Sequence, residues 1–183
     1  MLDADPSFRP VRRRDGYLAL EDMGLIGDGT TSALVGLDGS VPWLCLPRFD
    51  SEPLFCALLD HAGGGAFTVA PEEVIEARQR YEPDTAVLVT ELRSPTGLLA
   101  VTDALALRPG SVLSDDAPAG RQELIRSAVV LDGSVRLRGR DRAEGRGLRA
   151  GGRGRPVRGG MASARPRPAC SLQPSAGVVA QRP

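Results

Sequence analysis

The sequence predicts an all-β fold, an incomplete antiparallel β-sandwich followed by a disordered Arg/Gly/Pro-rich tail. Two Asp-Gly dipeptides, Asp38-Gly39 and Asp132-Gly133, are each flanked by apolar runs. Asp-Gly favours the tight turn of a β-hairpin, because both residues tolerate positive φ. The apolar runs are short and separated by Gly and Pro clusters, which is typical of sandwich strands. Aromatic residues make up only 4% of the chain, so we expect a core of Leu, Val and Ala.

The first predicted hairpin spans Ser32 to Leu46. Its two arms, SALVGL and SVPWLCL, flank Asp38-Gly39 and predict a type I′ turn. Pro42 has no amide hydrogen to donate, so it is expected at an edge or unpaired position.

The rest of the domain predicts further short elements. Residues 53–60 favour a short helix before the Gly63-Gly64-Gly65 break. Strands are predicted over 66–70, 77–81, 85–92 and 98–102, with a turn at 94–97 and a loop over 109–120. The second Asp-Gly turn predicts that 123–131 pairs with 134–138.

Apolar content and charge together divide the chain into three parts, because residues 1–16 hold few apolar residues. Residues 1–138 carry 13 Arg and 21 acidic residues, whereas residues 139–183 carry 10 Arg and 2 acidic residues. We therefore predict a flexible lead over 1–16, a sandwich domain over 17–138 and a disordered tail over 139–183. The loss of strand pattern and the change of charge coincide, so we hypothesise a frameshift near codons 138–140. An RNA contact through the tail is an alternative, but the tail has no aromatic residue to stack on bases.

The composition excludes several classes of function. The chain contains no Lys, which excludes phosphate-loop nucleotide sites and Schiff-base catalysis. Its three cysteines form no CxxC pair, and His61 is the only histidine. We therefore expect no metal site and no cofactor, and we interpret His61 as a loop residue. No long apolar stretch or secretory leader is present, so the protein is expected to be cytoplasmic, with no membrane partner.

Several motifs between residues 17 and 138 resemble one known family. They include LIGD at 25–28, TSALV at 31–35, WLCLPRFDS at 43–51, RYEPDT at 80–85 and VTD at 101–103. This pattern resembles the N-terminal, trehalase-like domain of bacterial glycoside hydrolase family 15 proteins, which include trehalases and glucoamylases.

The resemblance implies a galactose-mutarotase-like sandwich that packs against a separate (α/α)-barrel. In that family two barrel glutamates hydrolyse α-glucosides with inversion, which requires carboxyl groups roughly 6.5–9.5 Å apart. No position of this chain corresponds to them, so no catalytic residue is assigned. The implied function is a truncated glycosidase fragment that is inactive alone, whose partner is the missing barrel and whose parent acts on α-glucosides such as trehalose. A stand-alone module that binds carbohydrate or a barrel subunit is the alternative.

The candidate site residues are Trp43, Arg48, Phe49 and Asp50. Arg and Asp side chains can hydrogen-bond sugar hydroxyls, and aromatic rings can stack on a sugar face. The resemblance implies that this loop borders the substrate pocket or faces the barrel. The structural alternative is a local Arg48–Asp50 pair beside a buried Trp43.

Overall fold

The described part of the protein is built almost entirely of strands. The computed structural model describes residues 6–110, 120–141, 162–164 and 175–181. The only helical element in these ranges is a 3₁₀ turn at Leu20–Asp22. The strands are β1 Arg9–Pro10, β2 Met23–Gly27, β3 Ser32–Gly36, β4 Ser40–Val41, β5 Trp43–Cys45, β6 Pro53–Phe55, β7 Phe67–Pro71, β8 Glu76–Tyr81, β9 Leu88–Ser94, β10 Gly97–Leu107, β11 Gly120–Gly133, β12 Leu137–Asp141, β13 Ala162–Ala164 and β14 Ser175–Gln181. The predicted all-β class is confirmed.

Three sheets form the architecture. A seven-stranded sheet has the order β1-β8-β9-β10-β11-β14-β13, a four-stranded sheet the order β2-β3-β5-β6, and a three-stranded sheet the order β12-β7-β4. The pairings are antiparallel except that β14 runs parallel to β11. Strand residues alternate between the two faces of a sheet, and the inward residues of β9, β10 and β11 are buried. These include Leu92, Leu99, Val101 and Leu124.

The long hairpin of β9 and β10 agrees with the sequence prediction. Ser94 pairs with Gly97 at its end, and the ladder continues to Leu88 opposite Asp103. The predicted strands at 66–70 and 77–81 also exist, as β7 and β8. The predicted helix over 53–60 is wrong, because residues 53–55 pair with β5 as strand β6.

The first Asp-Gly turn exists, but it differs from a type I′ turn. Gly39 donates its amide to the Gly36 carbonyl at 2.9 Å, and only Gly39 has a positive φ, at 77°. Asp38 instead accepts hydrogen bonds from the amide and hydroxyl of Ser40 at 3.1 and 2.6 Å. The chain then changes sheets. Strand β4 pairs with β7, and β5, beyond the unpaired Pro42, pairs with β3.

The second predicted hairpin is wrong in its pairing. Gly133 does turn the chain, with φ of 64°, but β12 pairs with β7, with Leu137 opposite Pro71. One side of β11 is already occupied by β10 over nearly its whole length. Residues 134–136 therefore carry the chain into the other layer.

A fully buried ion pair connects two of the sheets. Arg126 on β11 donates from Nε to Asp103 Oδ1 at 2.6 Å and from Nη2 to Oδ2 at 3.0 Å. The same guanidinium donates to the carbonyl oxygens of Phe67 at 2.8 Å and Gly39 at 3.0 Å. Because these carbonyls belong to β7 and to the turn before β4, the pair joins the seven-stranded and three-stranded sheets.

The described part of the predicted N-terminal lead packs against the domain. Strand β1 pairs with β8, and the guanidinium groups of Arg78 and Arg93 lie 4.8 and 4.5 Å from the centre of the Phe8 ring. Arg9 forms an ion pair with Asp22 at 2.5 Å. The segment 1–16 thus includes a strand that the sequence analysis missed, while residues 1–5 lie outside the described ranges.

The predicted tail over 139–183 is described in three places only. Residues 139–141 end β12, and β13 and β14 extend the seven-stranded sheet beyond β11. The predicted loop at 111–119 and the remainder of the tail lie outside the described residues.

Candidate functional site

The candidate residues lie on β5 and on the loop that follows it, residues 46–51. This loop closes on itself, because Ser51 donates its amide to the Arg48 carbonyl at 3.1 Å and Arg48 donates its amide to the Ser51 hydroxyl at 3.2 Å. Arg48 also forms a two-pronged ion pair with Asp50, with Nε–Oδ1 and Nη2–Oδ2 distances of 2.9 and 3.2 Å. The predicted local pair is therefore present.

A preceding turn supports this loop. Asp28 is buried, and its Oδ1 accepts hydrogen bonds from the amides of Thr30 at 2.9 Å and Thr31 at 2.8 Å. The Thr30 carbonyl then accepts the amide of Phe49 at 3.3 Å, and the Thr31 hydroxyl donates to the Cys45 carbonyl at 2.5 Å. Asp28 thus orders the turn on which the loop 46–51 rests.

Sequence reasoning missed Asp28, although a signal for it exists. An Asp followed by Gly-Thr-Thr is the pattern of a turn in which the carboxylate binds amides two and three residues ahead. Among the described residues, Asp28 Oδ2 has no hydrogen-bond partner. The carboxylate therefore acts here through one oxygen.

The ion pair determines the electrostatics of the loop. The hydrogen bonds to Arg48 lower the pKa of Asp50, and the same contact raises the pKa of Arg48. Both side chains are mostly exposed, so water and salt screen their attraction. The pair leaves no net charge on the loop at neutral pH.

The two aromatic candidates differ in exposure. Phe49 is 69% exposed. Trp43 is half-buried on β5. It is therefore less enclosed than the buried Trp43 expected if the loop is only structural. The four candidate residues remain a predicted site, with the aromatic groups available to a partner and the charged groups paired with each other.

A separate cavity of about 330 Å³ opens beside Tyr17 and His61. The two rings lie 5.6 Å apart at an angle of 59°, and His61 donates its backbone amide to the Tyr17 hydroxyl at 3.1 Å. Arg13, Thr68 and Arg138 also line this cavity. Sequence reasoning interpreted His61 as a loop residue and did not connect it with Tyr17, 44 positions earlier.

The cysteines do not form a reactive centre in the described residues. Burial raises the pKa of the Cys45 thiol, and the nearby Cys56 raises it further. A raised thiol pKa lowers the thiolate fraction and hence the reactivity. Both cysteines are free, Cys45 buried and Cys56 half-buried, while Cys170 lies outside the described ranges.

The described residues contain neither a metal-binding cluster nor a membrane-spanning helix. No group of three or more His, Cys, Asp or Glu side chains comes together there in a way that could hold a metal ion. No helix in that part of the chain is long and apolar enough to span a bilayer.

Comparison with known proteins gives one family match. The family model described as trehalase-like, N-terminal, matches residues 15–137. The trehalase of Mycolicibacterium smegmatis is 40% identical over 97 residues, which cover 52% of this chain and 14% of that protein. The trehalase of Thermoplasma volcanium is 36% identical over 92 residues, covering 49% of this chain and 15% of that protein.

A third relative gives the same pattern. The trehalase of Mycobacterium tuberculosis is 36% identical over 95 residues, which cover 51% of this chain and 14% of that protein. The chain therefore spans only about a seventh of the length of these relatives. No solved structure matches the chain significantly.

Proposed function

The chain belongs to the trehalase-like N-terminal family, and from this premise we propose that it is the non-catalytic front part of an α-glucoside hydrolase of the trehalase or glucoamylase type. In this role the chain hydrolyses no glycoside alone. It supports a separate catalytic portion, and trehalose is the preferred substrate of the complete enzyme. The observation that carries the proposal is the family match over residues 15–137, in a chain that spans about a seventh of three relatives named trehalase.

The buried carboxylates support a non-catalytic role. A glycosidase needs one carboxylic acid to protonate the leaving oxygen and one carboxylate to activate water or attack. In the described residues the buried carboxylates have structural partners. Asp103 binds Arg126, Glu91 binds Arg78, Asp38 binds Arg13 and Ser40, and Asp28 binds the amides of Thr30 and Thr31.

The loop 46–51 is the part of the chain proposed to contact the catalytic portion. The Phe49 amide is bonded to the Thr30 carbonyl of the Asp28 turn, and the Cys45 carbonyl just before the loop accepts the Thr31 hydroxyl. A loop whose backbone is already ordered loses less conformational entropy on binding. This supports a role for Trp43, Arg48, Phe49 and Asp50 at the border of the substrate pocket.

Two proteins test the proposal. The first is the purified 183-residue chain, assayed for glucose release from trehalose and maltose, for which no turnover is expected. The second is a chimera in which residues 15–137 replace the matched segment of the Mycolicibacterium smegmatis trehalase, which is expected to hydrolyse trehalose. Turnover by the chain alone, or a folded chimera without activity, would contradict the proposal.

The cavity beside Tyr17 favours one second candidate function, a stand-alone carbohydrate-binding module. Its volume of about 330 Å³ lies within the range of small-molecule sites, and the Tyr17 ring offers an aromatic surface for a sugar face. Titration calorimetry of the chain with trehalose and with maltose tests this function. Heat that disappears in Tyr17→Ala supports it, and the absence of heat with both sugars refutes it.

A further inference from the structure

A row of apolar side chains crosses the outer face of the four-stranded sheet. Leu25 on β2 lies opposite Leu34 on β3, and Leu34 lies opposite Trp43 on β5. The residues one step along these strands, Ile26, Ala33 and Leu44, are completely buried. Because successive strand residues point to opposite faces, Leu25, Leu34 and Trp43 lie on the face turned away from the core. We refer to these three residues as the apolar row.

The apolar row is accessible and continues into the loop 46–51. Leu25 is 55% exposed, whereas Leu34 and Trp43 are half-buried. Phe49 projects from the loop that directly follows β5, and the charges of that loop neutralise each other in the Arg48–Asp50 pair. The row and the loop that follows it therefore supply two leucines, the chain's only tryptophan and an exposed phenylalanine, with no unpaired charge on the loop.

Such a composition is typical of the centre of a protein interface. Interface centres are enriched in aromatic residues and depleted of charge, and a few buried aromatic anchors supply most of the binding free energy. Leu25 and Leu34 offer no hydrogen bond to a sugar hydroxyl, so the row favours a protein surface over a carbohydrate. Contiguous apolar surface marks sites of association, and Leu25 and Phe49 are both more than half exposed.

We propose that the apolar row, together with Phe49, is the surface on which the catalytic portion of the complete enzyme docks through an apolar surface of its own. This inference rests on the proposed function. The relatives supply the argument for this occupant, because the matched segment is 14% of the Mycolicibacterium smegmatis trehalase, so most of that protein's length lies outside this domain and is available to cover the row.

Site-specific alkylation in the chain and in the chimera tests the docking surface. Leu25→Cys places a thiol in the row. Its backbone is held by the Tyr81 hydroxyl, which accepts from the Leu25 amide at 2.9 Å and donates to its carbonyl at 2.8 Å, so the fold is expected to persist. Ile75→Cys is the matched control, because Ile75 is 48% exposed and precedes β8 of the other sheet. The alkylation rate at each position is measured by mass spectrometry.

The alkylation rates at positions 25 and 75 test the docking surface without any measurement of trehalose hydrolysis. We expect alkylation at position 25 to be at least about tenfold slower in the chimera than in the isolated chain, which corresponds to about 1.4 kcal/mol of protection. The rate at position 75 is expected to change little. Equal rates at position 25 in the two proteins would overturn the docking surface. If that chimera nevertheless hydrolyses trehalose, the proposed function stands and only the surface is wrong.

Discussion

Arg126 and Asp103 face each other across neighbouring strands and are both completely excluded from solvent, with Nε and Oδ1 2.6 Å apart. Two further hydrogen bonds, to the carbonyl oxygens of Phe67 and Gly39, bring four of the five guanidinium N–H groups into hydrogen bonds. A buried charge requires such pairing, because its desolvation costs several kcal/mol. The pair therefore specifies how the two layers of the sandwich are placed against each other.

Removing one partner of this pair should destabilise the protein strongly. Asp103→Asn leaves the Arg126 charge buried and uncompensated, so we expect the free energy of unfolding to fall by about 3–5 kcal/mol. Urea unfolding followed by circular dichroism measures it. The control is Glu82→Gln, which breaks the partly exposed Arg80–Glu82 pair and should cost at most about 1 kcal/mol. Equal losses in the two variants would show that the buried pair has no special role.

The Asp28 turn should control the order of the loop 46–51. Asp28→Ala removes the acceptor of the buried Thr31 amide and of the part-buried Thr30 amide, and leaving a buried donor unpaired costs about 1–3 kcal/mol. We expect the Phe49 amide, which is bonded to the Thr30 carbonyl, to exchange its hydrogen faster. Asp60→Ala is a matched control, because Asp60 Oδ1 accepts the amides of Ala62 and Gly63 in a different loop. If the Phe49 amide exchanges its hydrogen at an unchanged rate in Asp28→Ala, the Asp28 turn does not control the order of the loop.

The ion pair on the loop should give Asp50 an abnormally acidic carboxyl group. Since the hydrogen bonds to Arg48 lower the pKa of Asp50 below the ordinary 3.8, the stabilisation is present above the unfolded pKa. It is lost as the pH falls through the lower folded pKa. Titration of the Asp50 carboxyl by NMR should show this shift, and Arg48→Gln should return the midpoint to the ordinary value. Arg80→Gln, at a distant pair, should leave Asp50 unchanged, and a midpoint insensitive to Arg48→Gln would exclude the pair as the cause.

Alanine substitutions at two glycines allow the loss of stability from backbone strain to be compared with the loss from a steric collision. Gly39 and Gly110 have nearly the same positive φ, 77° and 75°. A Cβ on Gly39 would collide with the Val69 carbonyl oxygen, whereas a Cβ on Gly110 meets nothing within 4 Å. Gly110→Ala should cost about 1 kcal/mol of stability from the left-handed conformation alone. Gly39→Ala should cost clearly more in the same thermal or urea unfolding, and equal costs would mean that β7 moves aside freely.

Local signals made part of the fold predictable. The β9–β10 hairpin could be predicted because its partners are close in sequence and its turn lies between them, at Ser94–Gly97. The pairing of β12 with β7 could not be predicted, because Leu137 pairs with Pro71, 66 positions earlier. Neither segment contains a local pattern that indicates its partner. The burial of Arg126 was equally hidden, since arginine is almost never fully buried unless it is paired.

The candidate site was predictable to a similar degree. The sequence places Arg48 two positions before Asp50, which is enough to predict their local pair. It does not show that Asp28 orders the loop, because that effect passes through Thr30 and Thr31 to residues about twenty positions later. Nor does it show that Leu25, Leu34 and Trp43 share one face, which depends on the registers of two strand pairs.

The change of sheet at Pro42 has a consequence for the order in which the chain folds. Strands β4 and β5 are separated by one residue, yet β4 pairs with β7 and β5 pairs with β3. The four-stranded sheet takes its strands from residues 23–55, whereas the three-stranded sheet must wait for β7, which begins at Phe67, and for β12. The Gly39 carbonyl before β4 also needs its hydrogen bond from Arg126. Distant pairings of this kind slow folding, since a long loop must close before its contacts can form. The contact between the two layers should therefore form in a late step, and a nascent chain should not hold β4 in its native position until β11 has been synthesised.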